Sequence, residues 1–167
     1  MPSPQLVTNT TPLITLAVAC GSLEVLRQLY DHVLVTQEVA QEIAAGGLHR
    51  PGVAEFLAAQ HWLQPLPEAR TIAPYLLNTL DCGEASVIQA ALDEHIPLVA
   101  IDERVGRRVA RLAGLSVTGS IGILLKARER GLTGSLAQSF ERLRAHGIWL
   151  SPQVQTFALE QEEKLGS

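Results

Sequence analysis

Aromatic residues are scarce in this chain: two Trp, two Tyr and three Phe among 167 residues, or 4%. With so few rings, the core has to be built from Leu, Val, Ile and Ala, as in α/β proteins whose strands are buried on both faces. The apolar fraction of 47% is enough for one domain with a full core. Cysteine is nearly missing as well. Cys20 and Cys82 make neither a disulfide framework nor a zinc site, which fits a reducing cytoplasm. Neither has a companion that would mark it as a nucleophile. Charge is thin: 18% of the residues are charged, with both signs interspersed, which excludes a disordered chain. The net charge of -4 excludes a protein that holds nucleic acid by bulk charge, so any such contact must be local. No apolar run nears the roughly 20 residues of a membrane span. The N-terminal "MPSPQLV" lacks the charged and apolar regions of a signal peptide. There is no internal repeat, no Gly-rich phosphate loop and no GxSxG elbow. His32, His49, His61, His95 and His146 are scattered, with no pair at ligand spacing, and Trp62 and Trp149 read as core or interface residues.

What is present is alternation. "QLVTN", "HVLVT", "IPLVAID" and "LSVTG" read as strands. Spacing of apolar residues predicts helices over residues 11–20, within "GSLEVLRQLY", over 37–45 and over 51–60. "IAPYLLNTL" reads as a helix or helical turn, and further helices are predicted over 83–94, 103–113, 121–130, 135–145 and 152 to about 164. "WLQPLPEAR" reads as irregular. Strands alternating with helices imply βαβ units and a parallel sheet covered on both faces. Each of the four strands ends in a small, polar or acidic residue just before a helix, at Asn9, Thr36, Asp102 and Gly119. Ligands of such sheets bind outside the carboxyl ends of the strands. All four junctions therefore belong to the binding edge.

The acids near that edge can each be read in two ways. Asp102 ends the most apolar strand and could cap the helix over 103–113. The convergence of other acids on the same edge favours a metal-ligand reading. Asp81 with Glu84 three residues later is a capping-box arrangement. Glu84 is also in line with Val87, Ile88 and Ala91, the buried stripe of its helix, where an unpaired acid is expensive and a divalent cation would be a partner. Glu84 therefore reads as a ligand, and Asp81 stays open between a cap and a second acid. Glu38 and Glu42 are i, i+4 neighbours, and spacing alone favours two solvated glutamates. Arg104, Arg107, Arg108 and Arg111 form a basic stripe flanking an expected apolar face of Val105, Val109 and Leu112. Such a stripe is commonly a solvated face, and it could also guide a phosphate backbone toward an acidic site. Thr118 and Ser120 bracket a turn before a helix, where hydroxyls serve as caps or hold phosphate.

Taken together and in this order, "VTNTTPLI", "VLVTQEVAQEI", "LDCGEASVIQAA", "VAIDERVGRRVARLAGLSVTGSIGILLKA" and "GIWLSPQV" resemble the PIN-domain nucleases. The likeness is nearest to a VapC-toxin-like bacterial subgroup and covers most of the chain. It implies a three-layer α/β/α fold with a central parallel sheet, one domain over residues 1–167, and C-terminal helices from about 134 packed on that domain. It also implies an acid cluster that holds Mg²⁺ or Mn²⁺ and hydrolyses RNA. By position, the family's acids fall on Asn9, Glu42, Glu84 (with Asp81 close by) and Asp102. Glu42, Glu84 and Asp102 are then the catalytic acids, and the family's hydroxyl falls on Thr118 or Ser120. Arg104, Arg107 and Arg108 are candidates for contact with single-stranded RNA. The resemblance further implies a homodimer and, for toxin members, a partner antitoxin. The departure is Asn9, where the family usually has Asp. It opens an alternative, a weakened module that binds RNA or protein without cutting. A phosphatase-like or receiver-like domain lacks support, because no DxD follows the first strand.

Overall fold

The computed structural model describes residues 4–66 and 68–166. In chain order its elements are β1 (Gln5–Thr8), α1 (Thr10–Cys20), α2 (Glu24–Leu29), β2 (His32–Thr36), α3 (Gln37–Ala45), α4 (Val53–Ala59), β3 (Gln64–Leu66) and α5 (Pro74–Leu77). They continue as α6 (Cys82–Asp93), β4 (Leu98–Ala100), α7 (Arg104–Leu112), β5 (Ser116–Thr118), α8 (Ser120–Glu129), α9 (Leu136–Ala145) and α10 (Pro152–Leu165). The five strands form one sheet in the order β3-β2-β1-β4-β5, and every pairing is parallel. The α/β fold with a central parallel sheet, expected from the alternation, is what the chain adopts.

The strand order carries a consequence for function. From β1 the chain moves outward to β2 and β3, then returns past both to lay β4 on the other side of β1. The order reverses between β1 and β4, and this switch point is where doubly wound sheets leave a crevice for ligands. Right-handed crossovers place the helices of the two halves on opposite faces. In agreement, α1 packs against α4, α8 and α9, whereas α6 crosses β1, β2 and β4 and meets α7; α3 touches both α1 and α6. The helices α9 and α10 pack against α8, and α9 also against α1. The core between these layers is aliphatic: Leu6, Leu13, Leu16, Leu26, Ile88, Ile101, Ile123 and Leu124 are fully enclosed.

Two expectations need correction. The stretch "WLQPLPEAR" holds β3, which pairs with β2 through Leu34↔Gln64, Val35↔Pro65 and Thr36↔Leu66. A three-residue edge strand containing Pro65 shows no alternation, and proline is tolerated there because an edge leaves its missing N–H unneeded. On α7 the enclosed residues are Gly106 and Ala110; of the expected face Val109 packs partly buried against the core, while Val105 and Leu112 are 54% and 78% exposed. The reason is proximity. A Cβ on Gly106 would stand 2.9 Å from Ile101 Cγ2 and 3.3 Å from Glu84 Oε1, so only the smallest side chain fits there.

Candidate metal centre

Asn9 follows β1 directly and is only 5% exposed. Its backbone N–H donates to the carbonyl of Ala100 at 3.0 Å, tying the end of β1 to β4 across the switch point. It occupies the N-cap position of α1, yet its side chain makes no capping bond. The amide is left to face the crevice.

Glu42 reaches the same place from α3. The start of α3 is fixed by Thr36, whose hydroxyl accepts from the Val39 N–H at 3.2 Å and hydrogen-bonds Ser86 Oγ of α6 at 2.8 Å. That buried link holds together the two helices that carry Glu42 and Glu84. Thr10, the first residue of α1, donates to Glu42 Oε2 at 2.9 Å. Glu42 is exposed, as spacing alone favours, and this bond holds its carboxylate at the edge of the crevice.

Asp81 caps α6, its Oδ1 accepting from the Glu84 N–H at 2.8 Å. The next residue but one is Gly83, and the space beside its Cα is where the oxygens meet. A Cβ there would stand 2.8 Å from Glu42 Oε2, 3.4 Å from Asp81 Oδ1 and 3.5 Å from Asn9 Oδ1. Glu84, 7% exposed, lies over Gly106 of α7. Burial pushes its carboxyl above the usual carboxylate range, and the charges of Asp81, Glu103 and Glu42 push it further, against a stabilising backbone hydrogen bond. Asn9, Thr10, Glu42, Asp81, Glu84, Glu103 and Arg104 together line a cleft of about 370 Å³.

Asp102 stands apart. It does not line this cleft, and it does not cap α7, whose N-cap position is Glu103. Its Oδ1 accepts from the Ser120 N–H at 2.7 Å and its Oδ2 from Ser120 Oγ at 2.5 Å. It serves the N-terminus of α8. Arg107 lies on the other side of Gly119, donating from Nη1 to the Ile101 carbonyl at 2.9 Å. Burial lowers its pKa first and the Arg111 charge lowers it further, while Asp102 opposes both. Ser120 is thus buried and engaged with Asp102, Thr118 is half-buried, and Arg104 and Arg108 are exposed. Of the arginines only Arg104 borders the cleft. Two participants escaped the sequence reading: Thr10, hidden in the "NTT" run, and Glu103, whose only signal is its place next to Asp102.

The donor set suits a hard divalent cation, which takes carboxylate and amide oxygens. Among the described residues none of Glu42, Asp81, Glu84, Asp102 and Glu103 forms an ion pair with Lys or Arg; Asp102 has the Arg107 charge nearby, while the acids of the cleft have no such partner. Also among the described residues, no three His, Cys, Asp or Glu side chains stand together closely enough to hold a metal ion as they are. The kind of ligand fits, and the side chains would have to draw inward.

Fold and site together define an α/β domain with an oxygen-rich, acidic crevice at its switch point. The family model for DUF3368, a PIN domain, matches residues 5–164, and the chain belongs to this PIN-domain family. PIN domains are in general nucleases that bind nucleic acid and use divalent metals. No curated protein matches the chain. No helix among the described residues is long and apolar enough to cross a membrane.

Proposed function

We propose that the chain is a Mg²⁺- or Mn²⁺-dependent endoribonuclease acting on single-stranded RNA. The observation that carries this reading is the uncompensated group of Glu42, Asp81 and Glu84 around Asn9 at the sheet's switch point. Asn9, Glu42, Asp81 and Glu84 are the residues that would hold the cation, and Asp102 would join them by turning from Ser120 toward the cleft. When bound, it supplies Lewis acidity, withdrawing charge from a phosphodiester and making water a better nucleophile. The chain's own residues do the rest. Glu84, buried and raised in pKa without metal, would give up its proton on meeting the cation and serve as a carboxylate ligand. Thr10 and Ser120 orient Glu42 and Asp102. Arg104 at the rim, with Arg107, Arg108 and Thr118 beyond it, guides the phosphate backbone. The likeness to VapC-type toxins supports a cytoplasmic homodimer held in check by an antitoxin protein.

The competing reading, a PIN module that binds RNA or protein without cutting, is favoured by the neutral Asn9 and by the turn of Asp102 toward Ser120. The test is incubation of the purified chain with single-stranded RNA and Mn²⁺. Cleavage that EDTA stops and that Glu84→Gln lowers by roughly a hundredfold or more is the expected result. RNA that is bound but stays intact selects the binding module.

A further inference from the structure

We infer that the apolar pocket beside the acidic cleft is a subsite for one nucleobase, read on its edge by Arg50. The inference rests on the RNA-directed reading above. The pocket, about 240 Å³, is walled by Ile14, Ile43, Val53 and Ile148, with Thr15 and Arg50. It shares Thr10, Thr11 and Glu42 with the acidic cleft. The first turn of α1 borders both, and the next turn points Ile14 and Thr15 into the pocket. A nucleotide whose phosphate lies over the acids therefore has its base next to this opening.

The lining decides what can enter. Aliphatic walls and the Glu42 carboxylate repel a phosphate. A base is apolar on its faces and polar only along its edge. The cavity is smaller than the roughly 300–1,000 Å³ of sites for drug-sized ligands, which suits a single planar ring better than a folded peptide segment. The pocket is also shaped by close packing. Gly52 has a φ of +86°, and a Cβ on it would stand 3.0 Å from Ile14 Cδ1 and 3.1 Å from Ile14 Cα, so α4 begins hard against α1. A Cβ on Gly46 would stand 2.6 Å from Arg50 Cδ, so the arginine stem lies across Gly46. The Arg50 guanidinium has no ion pair and no side-chain hydrogen bond among the described residues. Its fork matches two acceptors on one edge, the pattern guanine presents through O6 and N7.

Methyl NMR of the full chain in Mg²⁺, which offsets repulsion between the nucleotide phosphate and the acids, titrated with GMP, AMP, UMP and CMP, reads the pocket without any need for cleavage. GMP is expected to shift the methyls of Ile14, Ile43 and Val53 and to bind about tenfold more tightly than UMP. Arg50 is exposed, so Arg50→Ala and Arg50→Lys should fold, and both should erase the preference, because lysine keeps the charge and loses the fork. Methyls unmoved by all four nucleotides overturn the inference. So does an equal loss for all four that Arg50→Lys restores, since Arg50 would then serve a phosphate. Concentration-dependent shifts of the same methyls without nucleotide would assign the pocket to a second copy of the chain instead. An RNA cleavage assay separates this inference from the nuclease reading. Cleavage with silent methyls leaves only the nuclease, and guanine-specific shifts in a protein that cuts nothing leave only the subsite.

Discussion

Replacing Gly83 with alanine should leave the fold nearly untouched and weaken the response to metal. Gly83 is the second residue of α6, and alanine suits a helix better than glycine by roughly 0.5–1 kcal/mol. Its Cβ would stand 2.8 Å from Glu42 Oε2, too close for either atom to stay put. Glu42 is exposed and its carboxylate ends a flexible stem, so the carboxylate moves and the backbone does not. The displaced carboxylate gives up its 2.9 Å bond from Thr10, a net loss of roughly 0.5–1.5 kcal/mol. Gain and loss nearly cancel, and the metal-free melting temperature should fall within roughly 4 °C of the parent's. The metal contribution does not cancel. Disturbing a ligand or its support typically weakens a site by roughly 10–100-fold. At saturating Mn²⁺ this removes roughly 1.4–2.7 kcal/mol of ligand-linked stability, or roughly 3–10 °C for a chain of this size. The assay is thermal unfolding with and without Mn²⁺. Gly122→Ala is a matched control, because a Cβ on Gly122 also stands 2.8 Å from one side-chain oxygen, Thr118 Oγ1. It should keep the full Mn²⁺ shift. Equal shifts in Gly83→Ala and the parent would refute the reasoning, since Glu42 would then have no part in holding metal.

Asn9→Asp is expected to tighten Mn²⁺ binding by about one to two decades and to lower the metal-free melting temperature by crowding like charges; calorimetric titration and melting curves check both halves. Asp102→Asn should fold normally, because its amide can still accept from the Ser120 N–H and donate to Ser120 Oγ, and should lose RNA cleavage; retained cleavage would reduce Asp102 to a structural role. Ser120→Ala should cost about 1–3 kcal/mol in urea unfolding, since it deletes a part-buried hydrogen bond from a buried serine to a carboxylate. Glu84 has its folded pKa raised by burial and then by Asp81, Glu103 and Glu42, so the folded state binds its proton more tightly than the unfolded one. Its contribution to stability is complete below the unfolded pKa and is lost as pH rises through the folded pKa. Metal-free protein should therefore lose stability across that interval as pH rises, whereas Glu84→Gln should be flatter; parallel urea midpoints across the series would count against it.

The sheet was legible in the sequence wherever a strand is buried on both faces, because such strands are continuous aliphatic runs bounded by turn residues. "HVLVT" is the clearest case, and β2 spans the same five residues, His32–Thr36. The edge strand β3 was not legible, since Gln64 and Pro65 are exposed and have no burial pattern to display. The face of α7 was misread for a related reason. Hydrophobic spacing assumes that the largest apolar residues point inward, but where α7 approaches Ile101 and Glu84 the enclosed residues are Gly106 and Ala110, and of the expected face Val109 alone packs partly buried against the core. When helices pack this closely, small residues mark the interior, and Val105 and Leu112 are displaced to the surface.

The sequence could nominate oxygen-bearing residues at the strand ends but not their arrangement, and Asp102 shows why. Read along the chain, an aspartate just before a helix belongs to that helix. The structure gives it to the next one, and pairing register explains the choice. β4 and β5 are neighbours with Ala100 opposite Thr118, so two residues further along each chain Asp102 arrives level with Ser120. The free N–H at the start of α8 and the serine hydroxyl offer two donors in one place, whereas the start of α7 offers its N–H groups alone. A carboxylate takes the richer partner. Without the strand order, nothing in "VAIDERV" points to "VTGSIG". The same holds for Gly83, which in sequence is only a helix residue of poor propensity and in the fold is the space that lets Asn9, Glu42 and Asp81 face one another. Residue types at strand ends can therefore nominate ligands, but which oxygens share a cleft and which are committed to a neighbouring helix is decided by register and by how closely the helices approach.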